Sequence, residues 1–320
     1  MSVRRLAVCA VVIAGCGDPE PAPRPAPPPI VAPAPEPPPD LSLGTGYEMR
    51  GVVRDEHVVL IPIIATGTVT TTSYVTLQDA LASHTATVRE MPGDMVVEQL
   101  RVRNRGSLPL FVMSGELVFG GQQDRVLAET RIIAPGETVD VSVRCVERER
   151  EDGSPTFHAS HLIAELAVRR AIVHEAQADV WEQVDAINSR LGTQNHTSTY
   201  RKAAGLQLTP PSSTHRDHLL AELAKHPARD RMVGLVVVLG GKIIAIERFA
   251  SPALYQALEG ELVASYAASD HDVVQEGRLV TPAAVREFAQ HAWGLQTTDA
   301  SYVLLRPNKD ALLDKRDPWQ

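Results

Sequence analysis

The run Ser114-Gly115-Glu116-Leu117-Val118-Phe119-Gly120-Gly121-Gln122-Gln123-Asp124-Arg125 gathers two carboxylates, a glycine pair, amides and a guanidinium into one short stretch. Twenty residues on, Cys145-Val146-Glu147 and Arg150 supply another acid and another base. Glycine lets the backbone turn or approach a ligand closely. An arginine can clamp a carboxylate or phosphate through two parallel hydrogen bonds. The candidate ligand-binding residues are therefore Glu116, Gly120, Gly121, Gln123, Asp124, Arg125, Glu147 and Arg150, with Arg125 or Arg150 taking an anionic group and the acids taking hydroxyls or amides. The acids Glu116, Asp124 and Glu147 also admit acid/base chemistry, since two carboxylates at a suitable separation serve hydrolysis. A purely structural alternative is a β-turn in which Arg125 pairs with Glu116 or Glu147.

Other chemistries find less support. The glycine pair is not followed by Gly-Lys-Ser/Thr, so it is no Walker phosphate loop. His158-x-x-His161 and His215-x-x-His218 each place two imidazoles on one face if helical. Neither encloses the glutamate of a zinc-protease helix, so no metal and no cofactor is assigned. A Gly-x-Ser-x-Gly elbow is missing. Cys145 lies in the apolar alternation of a strand and reads as a buried small hydrophobe.

The elements that must position these residues change character near residue 150. Tyr47 to Glu147 reads as strands: 57–64, 86–90, 95–103, 108–113, 117–119, 126–133 and 138–146, with a short helix over 76–82. Asn104-Arg105-Gly106 and Ala134-Pro135-Gly136-Glu137 are turn chemistry. Pro62 argues for an edge or a bulge in the first long strand. After Arg150, helical periodicity covers 159–174 and 176–191, and 195–211 is polar and irregular. A helix runs from Thr214 to Ala224, capped by Ser212 or Ser213. Val233–Leu239 and Lys242–Glu247 flank Gly240-Gly241, a strong hairpin signal. Ser251-Pro252 and Thr281-Pro282 open further helices, reaching Ala268 and Trp293, and 301–305 is a last strand. Tyr255, Leu258, Leu262 and Tyr266 share one helix face and read as core. The expected fold is α+β, an N-terminal antiparallel β-sandwich-like region (44–150) followed by helices packed on a small sheet with a β-hairpin (151–320).

Ahead of this lie a signal and a tether. Arg4 and Arg5 precede an apolar run, Leu6 to Gly15, too short to span a bilayer and suited to a secretory signal. The run ends Val12-Ile13-Ala14-Gly15-Cys16, like the lipobox of bacterial lipoproteins, which implies cleavage after residue 16's predecessor and acylation of Cys16. Residues 17–43 form a Pro/Ala-rich tether; 19–39 hold twelve of the chain's 24 prolines. At about 3.1 Å per residue such a polyproline segment reaches roughly 60 Å. The expected location is the bacterial cell envelope, lipid-anchored, with the outer membrane favoured because aspartate does not follow Cys16 directly, and the globular part in the periplasm. The formal net charge of −8 without basic clusters argues against nucleic acid as a partner.

The motif order Gly115-Glu116, Gly120-Gly121, Gln123-Asp124-Arg125, Cys145-Val146-Glu147 and Arg150 resembles the ARPP-1 domain family. Gln177 with Val180-Trp181, then Gly234 through Phe249 and Ser265-Tyr266, extends the likeness over about residues 47 to 275. The family's gene associations imply a setting near ADP-ribose or NAD-derived nucleotides. This chain departs from the family's Cys-Val-Glu-x-Gly-Arg-Trp: Glu149 replaces the glycine, and Glu151 replaces a tryptophan that could stack on a base. The expectation is an envelope domain that binds a small polar or anionic ligand, with the bilayer as partner through Cys16. An interaction module for an envelope protein is the alternative, and a hydrolase using Glu116 or Glu147 as general base ranks last.

Overall fold

The computed structural model describes residues 46–56, 58–91, 97–148, 150, 153–174, 176–269, 280–290 and 295–306. All of them fall within one compact unit, Pro38–Gln320. The signal 1–16 with Cys16, the tether 17–43, and Glu149 and Glu151 lie outside the described residues.

In chain order, three strands open the fold: β1 (Tyr47–Met49), β2 (Val53–Asp55) and β3 (Val58–Ala65). Then come β4 (Val75–Thr76), α1 (Leu77–Ala82), β5 (Ala86–Glu90), β6 (Gln99–Asn104), β7 (Leu110–Val112), β8 (Glu116–Gly120), β9 (Arg125–Leu127), β10 (Arg131–Ile133), β11 (Thr138–Cys145) and β12 (Phe157–Ile163). The helices α2 (Leu166–His174), α3 (Gln177–Leu191), α4 (Arg201–Gly205) and α5 (Ser212–Ala224) follow. The hairpin β13 (Met232–Leu239) and β14 (Lys242–Phe249), α6 (Pro252–Ala268), α7 (Pro282–Ala289), β15 (Leu295–Thr298) and β16 (Ser301–Leu305) complete the described chain. The α+β class holds.

Six strands in the order β12-β8-β9-β11-β6-β5 form an antiparallel sheet. It curls into a half-barrel, and its two edge strands meet where Arg89 bridges Thr156 and Glu90 N–H donates to the Pro155 carbonyl at 3.0 Å. Val88, Leu100, Val102, Val118, Leu127, Val141 and Val143 line its inside. They pack with Leu77, Ala80 and Leu81 of α1 and with Leu110, Val112 and Ile133 of a small β10-β7-β4 sheet. Thr76 caps α1 by accepting from Asp79 N–H, the usual way a helix start satisfies an orphan donor. Outside the half-barrel, Leu117, Val126 and Val146 meet α2, α3 and α4 through Val168, Ile172, Val180, Val184, Ala203 and Ala204.

A seven-stranded sheet, β1-β3-β13-β14-β16-β15 with β2 also on β3, forms the other layer. One face carries α5 and α6, with Leu219, Leu223, Tyr255, Leu258, Leu262 and Tyr266 buried. The opposite face carries α7 through Val285 and Phe288. Burial on both faces explains why β3 and β13 are continuously apolar rather than alternating. Gly240 and Gly241 turn the β13–β14 hairpin with φ of 52° and 81°, a pair of positive values that only glycine takes readily.

The two halves expected on either side of residue 150 exchange strands. β3 pairs along its length with β13, and β12 pairs with β8. Pro62 sits inside this central strand, opposite the break between β1 and β2, where its carbonyl accepts from Arg50 N–H at 3.1 Å. That break tolerates a residue with no donor. The helix expected over 159–174 is a strand to Ile163 and a helix from Leu166, because the half-barrel's open edge claims Phe157–Ile163. The single strand expected over 126–133 divides into β9 and β10, which join different sheets. The irregular 195–211 contains α4, and Ser212 is the first helical residue of α5 rather than its cap.

Candidate functional site

The β8–β9 turn starts the site. Gly120 and Gly121 take φ of 126° and 59°, and a Cβ on Gly121 would lie 2.1 Å from the Phe157 ring. At Gly120 a Cβ would lie 2.6 Å from the Thr156 carbonyl oxygen, so that position is closed to other residues, and a side chain at Gly121 would have to displace Phe157. The turn closes the pairs Leu117↔Val126 and Val118↔Arg125 and folds Asp124 back, so that Gly120 N–H donates to Asp124 Oδ1 at 3.0 Å.

Asp124 is 1% exposed and collects five donors. Oδ1 accepts from Gly120 N–H, from Arg150 Nη2 at 3.3 Å and from Arg201 Nη2 at 2.5 Å. Oδ2 accepts from Arg201 Nε at 2.9 Å and from Thr199 Oγ1 at 3.1 Å. Arg201 therefore grips the carboxylate with two parallel bonds, the geometry that gives arginine its directionality. Its guanidinium stacks over the Phe119 ring, 4.7 Å from the centroid.

Arg150 spans the rest of the turn. Its Nε donates to Glu147 Oε2 at 3.0 Å, Nη1 to the Gly121 carbonyl at 2.8 Å and Nη2 to the Gly120 carbonyl at 3.2 Å. The same Glu147 oxygen accepts from Asp124 N–H at 3.1 Å. Gln123 donates to the Arg148 carbonyl at 2.6 Å. Arg125, 1% exposed, turns inward to the Gln123 carbonyl at 2.9 Å and to Glu90 at 3.7 Å. The structural ion pair considered for Arg125 thus has Glu90 as its partner, not Glu116 or Glu147, because β5 and β9 face one another across the half-barrel. Behind the turn, the Gln177 amide accepts from Cys145 N–H at 2.9 Å and donates to the Cys145 carbonyl at 2.8 Å. The Cys145 thiol is buried, and burial pushes it up from its ordinary range.

Seven of the eight candidate residues thus meet around one turn: Gly120, Gly121, Gln123, Asp124, Arg125, Glu147 and Arg150. Thr199 and Arg201 join them from a segment whose sequence shows only polar irregularity. Asn195 holds that segment in place, accepting from Thr199 N–H at 3.0 Å and donating to the Thr193 and Thr199 carbonyls.

Glu116 lies apart, at the far end of β8, about 13 Å along the strand from Gly120 at roughly 3.3 Å per residue. It is fully buried. Oε2 accepts from Met113 N–H at 2.6 Å, and the Gln78 side chain also hydrogen-bonds the carboxyl. Burial, then the charge of Glu261, holds its carboxyl well above the usual range. Glu261, on α6, is pushed up from 4.5 to about 7 by burial and then by Asp79. Its Oε1 stands 3.5 Å from His161 Nδ1. His158 and His161 belong to a strand, not a helix, and among the described residues no group of His, Cys, Asp and Glu side chains is arranged to hold a metal ion.

The raised Glu261 carboxyl has a measurable consequence. Between pH 4.5 and about 7 the folded chain keeps a proton that the unfolded chain has released. Stability therefore falls as pH rises through that window, by at most about 1.4 kcal/mol per unit, and the contribution is level above it. Glu261→Gln should remove this part of the decline, so urea midpoints of variant and wild type should diverge between pH 4.5 and 7.

A second buried cluster sits where α2, β14 and α6 meet. Arg169 Nη1 donates to Glu247 Oε1 at 2.9 Å and to Tyr266 Oη at 3.0 Å, and Tyr266 donates to the same Glu247 oxygen. Ser265 donates to the Ala164 carbonyl at 2.6 Å. Of these, Glu247, Ser265 and Tyr266 belong to the later motif blocks, whereas Arg169 carries no local sequence signal.

Comparison with curated proteins and with solved structures finds no match. The model of one protein family does match, over residues 46–303, a span that takes in the Asp124 turn, the Gln177 clamp and the Arg169 cluster together. The chain belongs to the ARPP-1 family, the ARG and Rhodanese-Phosphatase-superfamily-associated Protein domain.

Proposed function

We propose that this ARPP-1 domain is carried on a lipid anchor at Cys16 and a proline-rich tether in the bacterial envelope, and that it binds a small anionic ligand at the Asp124 turn. The observation that carries the reading is the state of two guanidiniums. The side chains of Arg201 and Arg150 are 50% and 24% exposed, yet both are fixed on a carboxylate that is 1% exposed. An arginine already ordered by a buried partner loses little further freedom when a ligand arrives. Phe119 supports the plane of Arg201 from below. Gly120, Gly121, Asp124 and Glu147 then hold the two arginines, Gln123 and Arg125 brace the same turn, and Arg201 replaces Arg125 as the outward-facing clamp.

Titration calorimetry on the full chain tests this, with inorganic phosphate, citrate and AMP as probes at low and high salt. Binding of at least one probe is expected, weakening with salt. Arg201→Ala should reduce affinity about tenfold or more, the loss of a charge-assisted pair, and Arg201→Lys should recover part of it. Unchanged affinity in Arg201→Ala, or no response to any probe, overturns the reading.

One observation favours a second reading. The two oxygens of Asp124 are fully engaged within the chain, as a purely structural clasp would be. The domain would then be an interaction module, and affinity capture from detergent-solubilised membranes should return a stoichiometric protein partner. Hydrolysis that pairs Glu116 with Glu147 draws nothing from the geometry, since the two belong to separate sites.

A further inference from the structure

The outer face of the half-barrel carries arginines that the strand register sets side by side. In β6 the inward-facing Leu100 and Val102 alternate with Arg101 and Arg103. Both guanidiniums therefore stand outside, about 7 Å apart at roughly 3.4 Å per residue. Arg89 of β5 is the direct partner of Arg101, and Thr87 that of Arg103. On the other flank, Asp140 and Thr138 of β11 oppose the same two arginines. The patch thus joins Arg89, Arg101 and Arg103 with a single acid, Asp140.

That acid is already committed. Arg101 Nε and Nη2 donate to Asp140 Oδ1 and Oδ2 at 2.8 and 3.0 Å, a parallel pair of bonds. Arg89 and Arg103 are exposed and take no part in the described ion pairs. Like charges directly opposite each other across a ladder destabilise it. Asp140 relieves Arg101 from one side only, and Arg89 faces it from the other. An anionic partner would remove that remaining repulsion.

We propose that this face docks an extended acidic segment of a partner protein. In an extended chain alternate side chains point the same way at the same spacing of about 7 Å. Carboxylates at every second residue therefore fall in step with Arg101 and Arg103, and Arg89 reaches the first of them from a strand about 5 Å away. Arginine suits the contact because its planar fork takes a carboxylate through two bonds. An anionic bilayer fits less well. The chain's formal net charge of −8 repels such a surface as a whole, whereas a docked segment meets only the charges within a screening length of about 8–10 Å. The row ends beside the Asp124 turn, since Arg89 bridges Thr156, whose carbonyl accepts from Gly121 N–H at 3.1 Å. The proposal does not depend on the small anion at that turn, and Arg201 separates the two sites by experiment.

The test is fluorescence anisotropy on the full chain with a labelled octapeptide of alternating glutamate and serine. An alternating glutamine–serine peptide and phosphatidylglycerol vesicles are the comparisons. The acidic peptide should bind saturably at low salt and be released as salt rises, and the glutamine peptide should not bind. Arg89→Ala and Arg103→Ala, both at exposed positions, should each weaken binding about threefold and together about tenfold. Asp140→Asn should strengthen it by freeing Arg101, and Arg201→Ala should leave it unchanged. No saturable binding, or unchanged affinity in the Arg89→Ala/Arg103→Ala double variant, overturns the proposal. Loss of binding in Arg201→Ala places the peptide at the turn and overturns it too. Tighter association with the vesicles than with the peptide, lost in the same double variant, assigns the face to lipid and overturns it as well.

Discussion

Replacing Asp124 with alanine is expected to destabilise the chain by about 3–5 kcal/mol, the range for removing one partner from a buried charge network. Five donors lose their acceptor together: Gly120 N–H, Thr199 Oγ1, one nitrogen of Arg150 and two of Arg201. Arg201 can turn to solvent, so most of the loss should arise at Gly120 N–H and Arg150, which are tied into the turn. Asp124→Asn keeps the shape and one acceptor oxygen and should cost less than half as much. Urea denaturation of the two variants checks this ordering. If both variants are equally and mildly affected, Asp124 does not organise the turn. Loss of Asp124 should also release Arg201 from its place over Phe119, so anion binding should fall even in whatever fraction remains folded.

Arg169→Ala is the second large effect, also about 3–5 kcal/mol. Here neither partner can reach water, because Arg169 and Glu247 are each 1% exposed. The substitution strands the Glu247 carboxylate beside Tyr266, removes the cation–π contact of Arg169 with that ring at 5.4 Å, and opens a cavity. A buried ion pair is a poor source of net stability even though breaking it is costly. The double variant Arg169→Met/Glu247→Leu should therefore recover most of what Arg169→Ala loses. A double-mutant cycle measures the coupling; strictly additive losses would mean the pair does not act as a unit.

These two clusters show what a single sequence can and cannot disclose. The β8–β9 turn was legible because its glycines, amide and acids are contiguous, and Glu147 and Arg150 return to it through the ladder of β11 against β9. The β13–β14 hairpin and the helix starts at Ser251 and Thr281 were legible for the same reason, since each is written in local turn and cap chemistry. Arg201 was not, because it meets Asp124 across 77 residues and sits in a segment with no periodicity. Glu247 falls in a motif block, but its partner Arg169, 78 residues away, looks like an ordinary helix charge until the layers pack. Residues 159–163 read as helix because they run straight into a genuine one. Only the unpaired edge of β8, a partner about forty residues earlier, makes them a strand. Glu116 was grouped with Asp124 by proximity in sequence, but an extended strand carries its two ends far apart.

The central claim is that Arg150 and Arg201, held by Asp124, present a binding surface for an anion. Arginine side-chain Nε–H resonances report it most directly. On titrating the full chain with the tightest anionic probe, the Arg201 and Arg150 Nε–H signals should shift and saturate together with the Gly120 and Gly121 amides, while the Arg169 signal stays fixed. If those four signals do not move while the probe binds elsewhere, or if the shifts persist unchanged in Arg201→Ala, the Asp124 turn is a structural clasp and the ligand-binding account is contradicted.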